Sequence, residues 1–352
     1  MSTRDIVMLV VSIVMIVVAV VVLAGVVLMN SNLFSEGELT QSIATQSEIV
    51  HKTKNFLIVG YDTDQESDYA YRHSLKLADV IMVMNYDITG KKANILQIPR
   101  DTYIADEYPT GKTNKINAVT NQSEKKGGGI TGLAKVVNET FNMPIDHYVT
   151  ITMDSFRGIV DELGGIEIDS PTSFTSVDGV YIKKGLQIMD GRTAEAFVRE
   201  RKNNGGDFGR QRSQRIFLSA LMDRLLEASP GELAKMLPKL FGKVTTDLSI
   251  SQMLELAKEA QGLQKSNIVF HTAPGSSGMY QVASGRRLSV FSMNKELIAN
   301  MLNQYFRPYS DPVPAENLGV IQVFDKVTVE DDNQAMNNLV ETSSNTASKS
   351  KK

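Results

Sequence analysis

The chain has 352 residues, of which 42% are hydrophobic and 22% are charged, and its formal net charge at pH 7 is −3. This composition is typical of a globular protein and excludes a wholly disordered chain. The slightly acidic balance argues against nucleic-acid binding, which favours a basic domain. Because the sequence contains no cysteine, it offers no disulfide framework, thiolate nucleophile or cysteine-ligated zinc site.

Residues 6–29 form one uncharged run of 24 residues in which Ser12 is the only polar side chain. A helix of that length reaches about 36 Å, enough to cross a hydrocarbon core of roughly 30 Å. A cleaved signal peptide is the alternative, but its apolar region normally spans only about 7–15 residues. We therefore expect a retained transmembrane helix at 6–29, a short cytoplasmic N-terminus at 1–5, and a C-terminal domain outside the cell membrane.

Two polar segments border the main part of the chain. Residues 30–53 show little periodicity and are predicted to be a stalk, and residues 329–352 are predicted to be a disordered tail. The region between them, 54–328, is long enough to bury one sizeable core and is predicted to be the extracytoplasmic domain.

Strand and helix signals alternate along this domain. Short apolar runs predict strands at residues 55–61, 80–86, 93–98, 148–151, 268–270 and 319–324. Helical spacing predicts helices at 132–141, 155–163, 193–198 and 294–305, and a further helix through residue 226 with Asp207 as its N-cap. Alternation of this kind predicts a layered α/β domain in which helices cover a sheet.

Arginine is concentrated in one segment, because six of the 14 arginines fall within residues 192–215. Its planar donor fork matches phosphate oxygens two at a time. If the chain is extended here, Arg199 and Arg201 point to the same side, while Arg210 and Gln214 share a helix face. We expect these side chains to converge on an anion, although a solvated, salt-bridged helix face is the alternative.

Two further features lie at the ends of predicted strands. Arg100 follows the strand at 93–98, and ligands of α/β sheets gather at the carboxyl ends of strands; a structural pair with Asp101 is the alternative. Asp62 closes the first strand and Asp79 opens the second. Two such carboxylates could hold a Mg²⁺ ion that bridges phosphate oxygens, although an isolated aspartate there is more often a cap or turn residue.

Six short segments occur in a characteristic order. They are IPRDT (98–102), KINA (115–118), PIDHY (144–148), VDELGG (160–165), VRER (198–201) and GDFGRQR (206–212). The series resembles the LytR-CpsA-Psr family, which comprises single-pass envelope proteins of Gram-positive bacteria, and the likeness covers about residues 55–226. The resemblance implies a layered α/β/α domain with a central mixed sheet, preceded here by one N-terminal transmembrane helix.

The resemblance also implies a Mg²⁺-dependent glycopolymer phosphotransferase. Members of the family take a glycopolymer, such as wall teichoic acid or capsular polysaccharide, from a polyprenyl-pyrophosphate carrier and pass its glycan phosphate to a peptidoglycan hydroxyl. By motif position, Asp62 and Asp79 would bind the metal. The implied pyrophosphate ligands are Arg100, Arg199, Arg201, Arg210 and Gln214. The implied catalytic residues are Arg100, Asp207 and Arg210.

The sequence departs from the family pattern at two positions. The family usually has an arginine two residues after the first aspartate and another two residues before the second, where this chain has Asp64 and Leu77. The departures keep an alternative open. In that alternative the protein binds polyprenyl phosphate or wall polymer without catalysis, or acts as a regulatory envelope protein of the transcriptional-attenuator type.

Overall fold

The computed structural model describes the domain in several stretches. The described residues are 53–61, 76–104, 107–200, 202–204, 239–240, 242–259, 263–329, 331 and 334–335, with eight helical residues between 213 and 224. The predicted transmembrane helix at 6–29, nearly all of the predicted stalk and the predicted N-cap Asp207 lie outside these stretches. Among the helices of the described stretches, none is long and apolar enough to cross a bilayer.

The described residues form a seven-stranded central sheet. In spatial order its strands are β13 (Gln334–Ala335), β10 (Ile268–Thr272), β3 (Lys92–Ile98), β2 (Ala78–Asp87), β1 (Thr53–Tyr61), β4 (His147–Thr152) and β9 (Thr245–Thr246). β1 runs parallel to β4 and β3 runs parallel to β10, whereas the other neighbours are antiparallel. The sheet is therefore mixed, and its central strands are near-continuous apolar runs because both faces are covered.

Helices cover both faces of this sheet. The α-helices whose bounds lie within the described stretches are α1 (Gly129–Phe141), α2 (Met153–Glu162), α3 (Gly191–Arg199), α4 (Ile250–Glu259) and α5 (Lys295–Met301), the last continued by a π-helical turn at Leu302–Phe306. Ile58 of β1 packs in one core with Phe156 of α2, and its neighbour Leu57 packs in a second core with Val137 of α1. Successive strand residues point to opposite faces, so the architecture is the predicted α/β/α sandwich.

In the described stretches, three two-stranded antiparallel sheets flank the sandwich. Their strands are β5 (Ile166–Ser170) with β8 (Gly185–Met189), β6 (Phe174–Thr175) with β7 (Tyr181–Ile182), and β11 (Gly275–Gln281) with β12 (Arg287–Met293). The β11–β12 hairpin contacts the segment after β3 through a parallel bridge between Thr102 and Phe291. This hairpin therefore supports the segment that carries Arg100.

Most of the predicted elements are confirmed. The strands predicted at 55–61, 80–86, 93–98, 148–151 and 268–270 correspond to β1, β2, β3, β4 and β10, with ends that differ by at most two residues. The helices predicted at 132–141, 155–163, 193–198 and 294–305 correspond to α1, α2, α3 and α5 with its π-helical turn, with ends that differ by at most three residues.

The strand predicted at residues 319–324 is wrong. Its apolar side chains do pack, against Tyr103 and Val290, but its backbone joins no ladder. The amide groups of Val323 and Phe324 donate instead to the Ser292 hydroxyl, at 2.8 and 3.1 Å. An apolar run alone therefore does not make a strand when a side chain satisfies its backbone donors.

The folded domain also reaches past residue 328, where the sequence placed the start of the tail. Val329 forms a bridge with Gly275, and β13 pairs with β10. Asp331 accepts a hydrogen bond from the backbone amide of Thr272 at 3.0 Å. Val329 thus lies against the β11–β12 hairpin, and Asp331 and β13 lie at the edge of the central sheet.

Candidate active site at the carboxyl edge of the sheet

Several strand ends meet at one edge of the sheet. Tyr61 at the end of β1 pairs with Ala78 at the start of β2 and with Thr152 at the end of β4. Ile98 at the end of β3 pairs with Ile81 of β2. We call this side of the sheet, defined by these five residues, the carboxyl edge.

The carboxyl edge brings Arg100 and Asp79 together. Asp79 is the second residue of β2, and Arg100 lies two residues beyond the end of β3. The Nη1 group of Arg100 donates to Oδ1 of Asp79 in an ion pair whose side chains are 23% and 15% exposed. The prediction that Arg100 lies at a strand end is confirmed, and its ion-pair partner is Asp79 rather than the adjacent Asp101.

The backbone around Arg100 is held from two sides. The Arg100 carbonyl accepts from the Asn117 amide at 3.2 Å, and the Asp101 carbonyl accepts from the Phe291 amide at 2.8 Å. The Asp101 carboxylate accepts from Lys115 Nζ at 2.8 Å. Because these contacts come from the 3₁₀-helix at Ile116–Asn121 with its N-cap Lys115, and from β12, the position of Arg100 is fixed independently of any ligand.

One donor of Arg100 is buried without an acceptor among the described residues. This atom is Nε, the guanidinium nitrogen that is bonded to the aliphatic part of the side chain. Buried polar groups in native proteins nearly always have a hydrogen-bond partner. A phosphate oxygen is an acceptor that suits the planar fork, so this donor is consistent with an anion site.

The packing of two helices brings a second guanidinium, that of Arg199, to the carboxyl edge. α2 begins directly after β4, so its amino end lies at this edge. α3 runs antiparallel to α2, because the Gly191 amide at its start donates to Asp161 at 2.7 Å, and Glu195, four residues later, accepts from Arg157, four residues earlier in α2. The last residue of α3, Arg199, therefore returns to the carboxyl edge.

Glu195 links Arg199 to α2. Its Oε1 accepts from Arg199 Nη1 at 2.5 Å, and its Oε2 accepts from Arg157 Nη1 at 2.6 Å. Arg157 also pairs with Asp154, one helical turn earlier. This network shows that Arg199 belongs partly to a salt-bridged helix surface, the alternative considered for the arginine segment.

The conformation assumed for Arg199 is wrong. Val198 and Arg199 are helical rather than extended, whereas the C-cap residue Glu200 has extended backbone angles. The sequence pattern did not show that α3 continues to Arg199.

Five predicted site residues lie outside the described stretches, and their placement remains a prediction: Asp62, Arg201, Asp207, Arg210 and Gln214.

The described residues contribute one member of the predicted metal pair, Asp79. Within the described stretches there is no group of three or more histidine, aspartate or glutamate residues that could hold a metal ion. Tyr61 lies next to the other predicted ligand, and burial, with a smaller effect of Tyr148, raises the pKa of its phenol to about 12. Tyr61 therefore stays protonated at neutral pH and cannot act there as a general base.

Three residues of this network were assigned no role from the sequence: Asp154, Arg157 and Glu195. Glu195 and Arg199 are four residues apart, and Asp154 and Arg157 are three apart, so each intrahelical pair could have been found from helix spacing. The contact between Arg157 and Glu195 joins residues 38 positions apart. No local signal predicts it.

This fold and this site define the class to which the chain belongs. The model of the LytR_cpsA_psr family matches residues 28–307, and the chain is a member of that family. The resemblance found in the six short segments is thus confirmed.

The chain is similar to named transferases of this family. It is 34% identical over 218 residues to the polyisoprenyl-teichoic acid–peptidoglycan teichoic acid transferase TagV of Bacillus subtilis, covering 59% of this chain and 54% of that protein. It is 30% identical over 206 residues to TagU, the transferase of the same name from Bacillus licheniformis, covering 56% and 63%. The chain thus spans a little over half of the length of these relatives.

Solved structures share the fold. The crystal structure of TagV from B. subtilis matches with a TM-score of 0.56 at 28% identity, covering 75% of this chain and 99% of that one. A protein from Streptococcus agalactiae matches with a TM-score of 0.57 at 19% identity, covering 77% and 93%, which shows the fold alone.

Proposed function

We propose that this protein is a membrane-anchored extracytoplasmic phosphotransferase. It moves a glycopolymer of the teichoic acid or capsular polysaccharide type from a polyprenyl-pyrophosphate carrier to peptidoglycan. The observation that carries the proposal is the fixed guanidinium of Arg100 beside Asp79 at the carboxyl edge, with a buried donor that suits a phosphate oxygen. The similarity to TagV and TagU, which are named for the transfer of teichoic acid to peptidoglycan, supports it.

Phosphoryl transfer requires mainly that the enzyme neutralise charge and position the reacting groups. A peptidoglycan hydroxyl attacks the phosphorus on the glycan side, the bond from that phosphorus to the bridging oxygen breaks, and polyprenyl phosphate leaves. Arginine donors stabilise the charge that develops on the bridging oxygen. The ligands we assign to the pyrophosphate are Arg100, Arg199, Arg201, Arg210 and Gln214.

The acceptor hydroxyl needs a group that takes its proton. Asp79 is already paired with Arg100, so we assign this role to Asp207, with Arg210 beside it in the same motif. A carboxylate within hydrogen-bond reach of the hydroxyl can act as its general base.

We propose that Asp62 and Asp79 hold Mg²⁺. The Asp79 carboxylate at the carboxyl edge is the ligand type that Mg²⁺ prefers, and the ion would supply positive charge to the pyrophosphate oxygens. We expect chelation by EDTA to stop transfer and added Mg²⁺ to restore it. Asp79→Asn should raise the Mg²⁺ concentration needed for half-maximal rate about tenfold or more, and an unchanged requirement would contradict the assignment.

We also propose that residues 6–29 anchor the chain and that the domain lies outside the cell. Protease added to intact cells should then remove the domain and leave the anchor. A domain protected until the cells are lysed would contradict this orientation.

The direct test uses the full-length chain in detergent with lipid-linked glycan and peptidoglycan, and TagV from B. subtilis as the positive control. We expect glycan phosphate to become covalently bound to peptidoglycan, and Arg100→Ala to lower the rate of product formation by about 10²–10³-fold. If TagV forms product and this chain does not, the transferase proposal is wrong.

The departures at Asp64 and Leu77 favour a second candidate, a non-catalytic receptor for polyprenyl phosphate. It predicts that the protein binds farnesyl pyrophosphate, a short soluble analogue of the carrier, without any turnover. Isothermal titration calorimetry together with the transfer assay distinguishes the two candidates.

A further inference from the structure

Glu195 lies in an unusual environment for a carboxylate. It is only 8% exposed and sits between two guanidinium groups, with one oxygen bonded to Arg199 and the other to Arg157. A buried carboxylate of this kind is tolerated because each oxygen has a charged partner. Glu195 therefore joins the end of α3 to the body of α2.

The distance between these helices is set by their backbones. A Cβ atom built on Gly191 would lie 2.4 Å from the Arg157 carbonyl oxygen, so only glycine permits this approach. Arg157 is in turn fixed on its own helix by its pair with Asp154. The guanidinium of Arg157 is thus a fixed point against which Glu195 is oriented.

Of the two arginines bonded to Glu195, Arg199 is the one with more freedom to move. Its side chain is long and flexible, it is 35% exposed, and it lies at the last residue of a helix. The contact with Glu195 uses Nη1, one of the five N–H donors that a guanidinium carries. Glu195 can therefore direct the Arg199 fork while sharing its negative charge with Arg157.

We propose that Arg157 and Glu195 are positioning residues, which orient Arg199 toward the pyrophosphate at the carboxyl edge. This inference rests on the proposed function, because it assigns pyrophosphate as the ligand of Arg199. The order of contacts is Asp154, Arg157, Glu195 and Arg199. In this order Arg157 acts on the pyrophosphate through Glu195 and Arg199.

We call the series of contacts from Asp154 through Arg157 and Glu195 to Arg199 the relay. A double-mutant cycle tests it. The variants are Arg157→Ala, Arg199→Ala and the double variant of the full-length chain in detergent, with farnesyl pyrophosphate as the probe and calorimetry as the measurement. We expect Arg157→Ala to weaken binding about tenfold, as is usual for groups that orient a direct ligand. In the Arg199→Ala background, Arg157→Ala should cause no further loss.

Two more variants separate orientation from charge and stability. Glu195→Gln keeps the shape of the side chain and removes its charge. Like Arg157→Ala, it should weaken the binding of farnesyl pyrophosphate. Arg157→Lys restores the charge without the planar fork and should recover binding only in part. Arg224→Ala is the matched control, since Arg224 donates to the Leu163 carbonyl beyond the end of α2, and its affinity should equal that of the wild type.

The outcomes distinguish this inference from the proposed function. Equal losses from Arg157→Ala in both backgrounds, with a matching fall in Tm, would show a merely structural role and overturn the inference. Binding by the wild type without transfer would remove the transferase proposal and leave the relay intact. A wild type that does not bind the probe would overturn both.

Discussion

Arg100 and Arg199 reach the same edge of the sheet by different means. Arg100 is 23% exposed and lies in a loop that backbone hydrogen bonds fix on two sides. Arg199 is 35% exposed at the end of a helix, and a relay of side chains holds it. The difference implies that the first guanidinium tolerates little change around it, whereas the second can be adjusted by single side-chain substitutions.

Arg100→Ala should cause the largest loss. It removes a fixed donor fork from the proposed pyrophosphate site and leaves the Asp79 carboxylate, which is 15% exposed, without this partner. Loss of one preorganised donor typically lowers kcat by about 10²–10³-fold. The measurement is the steady-state rate of glycan transfer to peptidoglycan.

Lys115→Ala serves as the control for this experiment. It removes the contact with the Asp101 side chain and leaves the backbone bonds of the loop. We expect it to keep the rate within a few fold of wild type. If both variants lose activity equally, the loop as a whole, rather than the Arg100 fork, is responsible.

Arg199→Ala should cause a smaller loss, about tenfold in affinity for farnesyl pyrophosphate, because the side chain is more exposed and charge interactions there are weaker. Salt screens exposed charges more than buried ones. Raising NaCl from 50 to 500 mM should therefore reduce the penalty of Arg199→Ala more than that of Arg100→Ala. Equal salt effects would mean that the two guanidiniums lie in the same environment.

Much of the fold could be predicted because the strands carry their own signal. β1, β2 and β3 are buried on both faces, so each is an apolar run that the sequence displays directly. β11 was missed because its sequence, GSSGMYQ, is rich in residues that strands disfavour. It is a strand only because β12 pairs with it along seven residues.

The missed helix α4 did have a local signal. Ser249 and Gln252 form a capping box, in which the Ser249 amide donates to Gln252 Oε1 at 2.9 Å and the Gln252 amide donates to the Ser249 hydroxyl at 3.3 Å. The serine–x–x–glutamine spacing was visible in the sequence. It could have been used to predict a helix from residue 250.

The candidate site could be predicted only in part. The position of Arg100 followed from a strand end, which is a local feature. Its pairing with Asp79 and the contact of Arg157 with Glu195 depend on which strands and helices become neighbours. Such neighbours are set by tertiary packing, so residue type and spacing alone did not show them.

Gly191→Ala should disturb Arg199 from a distance. The added methyl group would meet the Arg157 carbonyl oxygen, a backbone atom that cannot move cheaply. Overpacking of this kind costs about 1–3 kcal/mol, and it should push α3 away from α2 and loosen the contact of Glu195 with Arg157. Urea denaturation measures the loss of unfolding free energy, and calorimetry measures the expected weaker binding of farnesyl pyrophosphate.

Gly179→Ala provides a comparison for this variant, since a Cβ there would meet no atom within 4 Å. Its φ of 77° makes alanine strained at that position as well. We therefore expect Gly179→Ala to lower the free energy of unfolding without weakening the binding of farnesyl pyrophosphate. If Gly191→Ala also lowers stability alone, the helix spacing does not control Arg199.

The smallest effect is expected at the other end of α3, where Asp190 is the N-cap. Its side chain accepts from the Thr193 amide at 2.8 Å, and hydrogen bonds from the Thr193 side chain and backbone hold its pKa below the ordinary value of 3.8. The ionised form is the one that caps the helix, so its stabilising effect is fully present above about pH 4. The effect is lost as the pH falls through the lowered pKa.

Asp190→Ala should therefore cost about 1 kcal/mol at pH 7, and the difference from wild type should shrink below pH 4. Asp190→Asn can still accept the Thr193 hydrogen bond and does not titrate, so it should keep most of the stability while losing this pH dependence. Because Arg199 is held by Glu195 rather than by the cap, neither variant should change the affinity for farnesyl pyrophosphate. A loss of affinity in Asp190→Ala but not in Asp190→Asn would instead show that the stability of the whole helix α3 positions Arg199. Arg199 would then differ from Arg100 in the stability of the element that carries it, and not in its side-chain contacts.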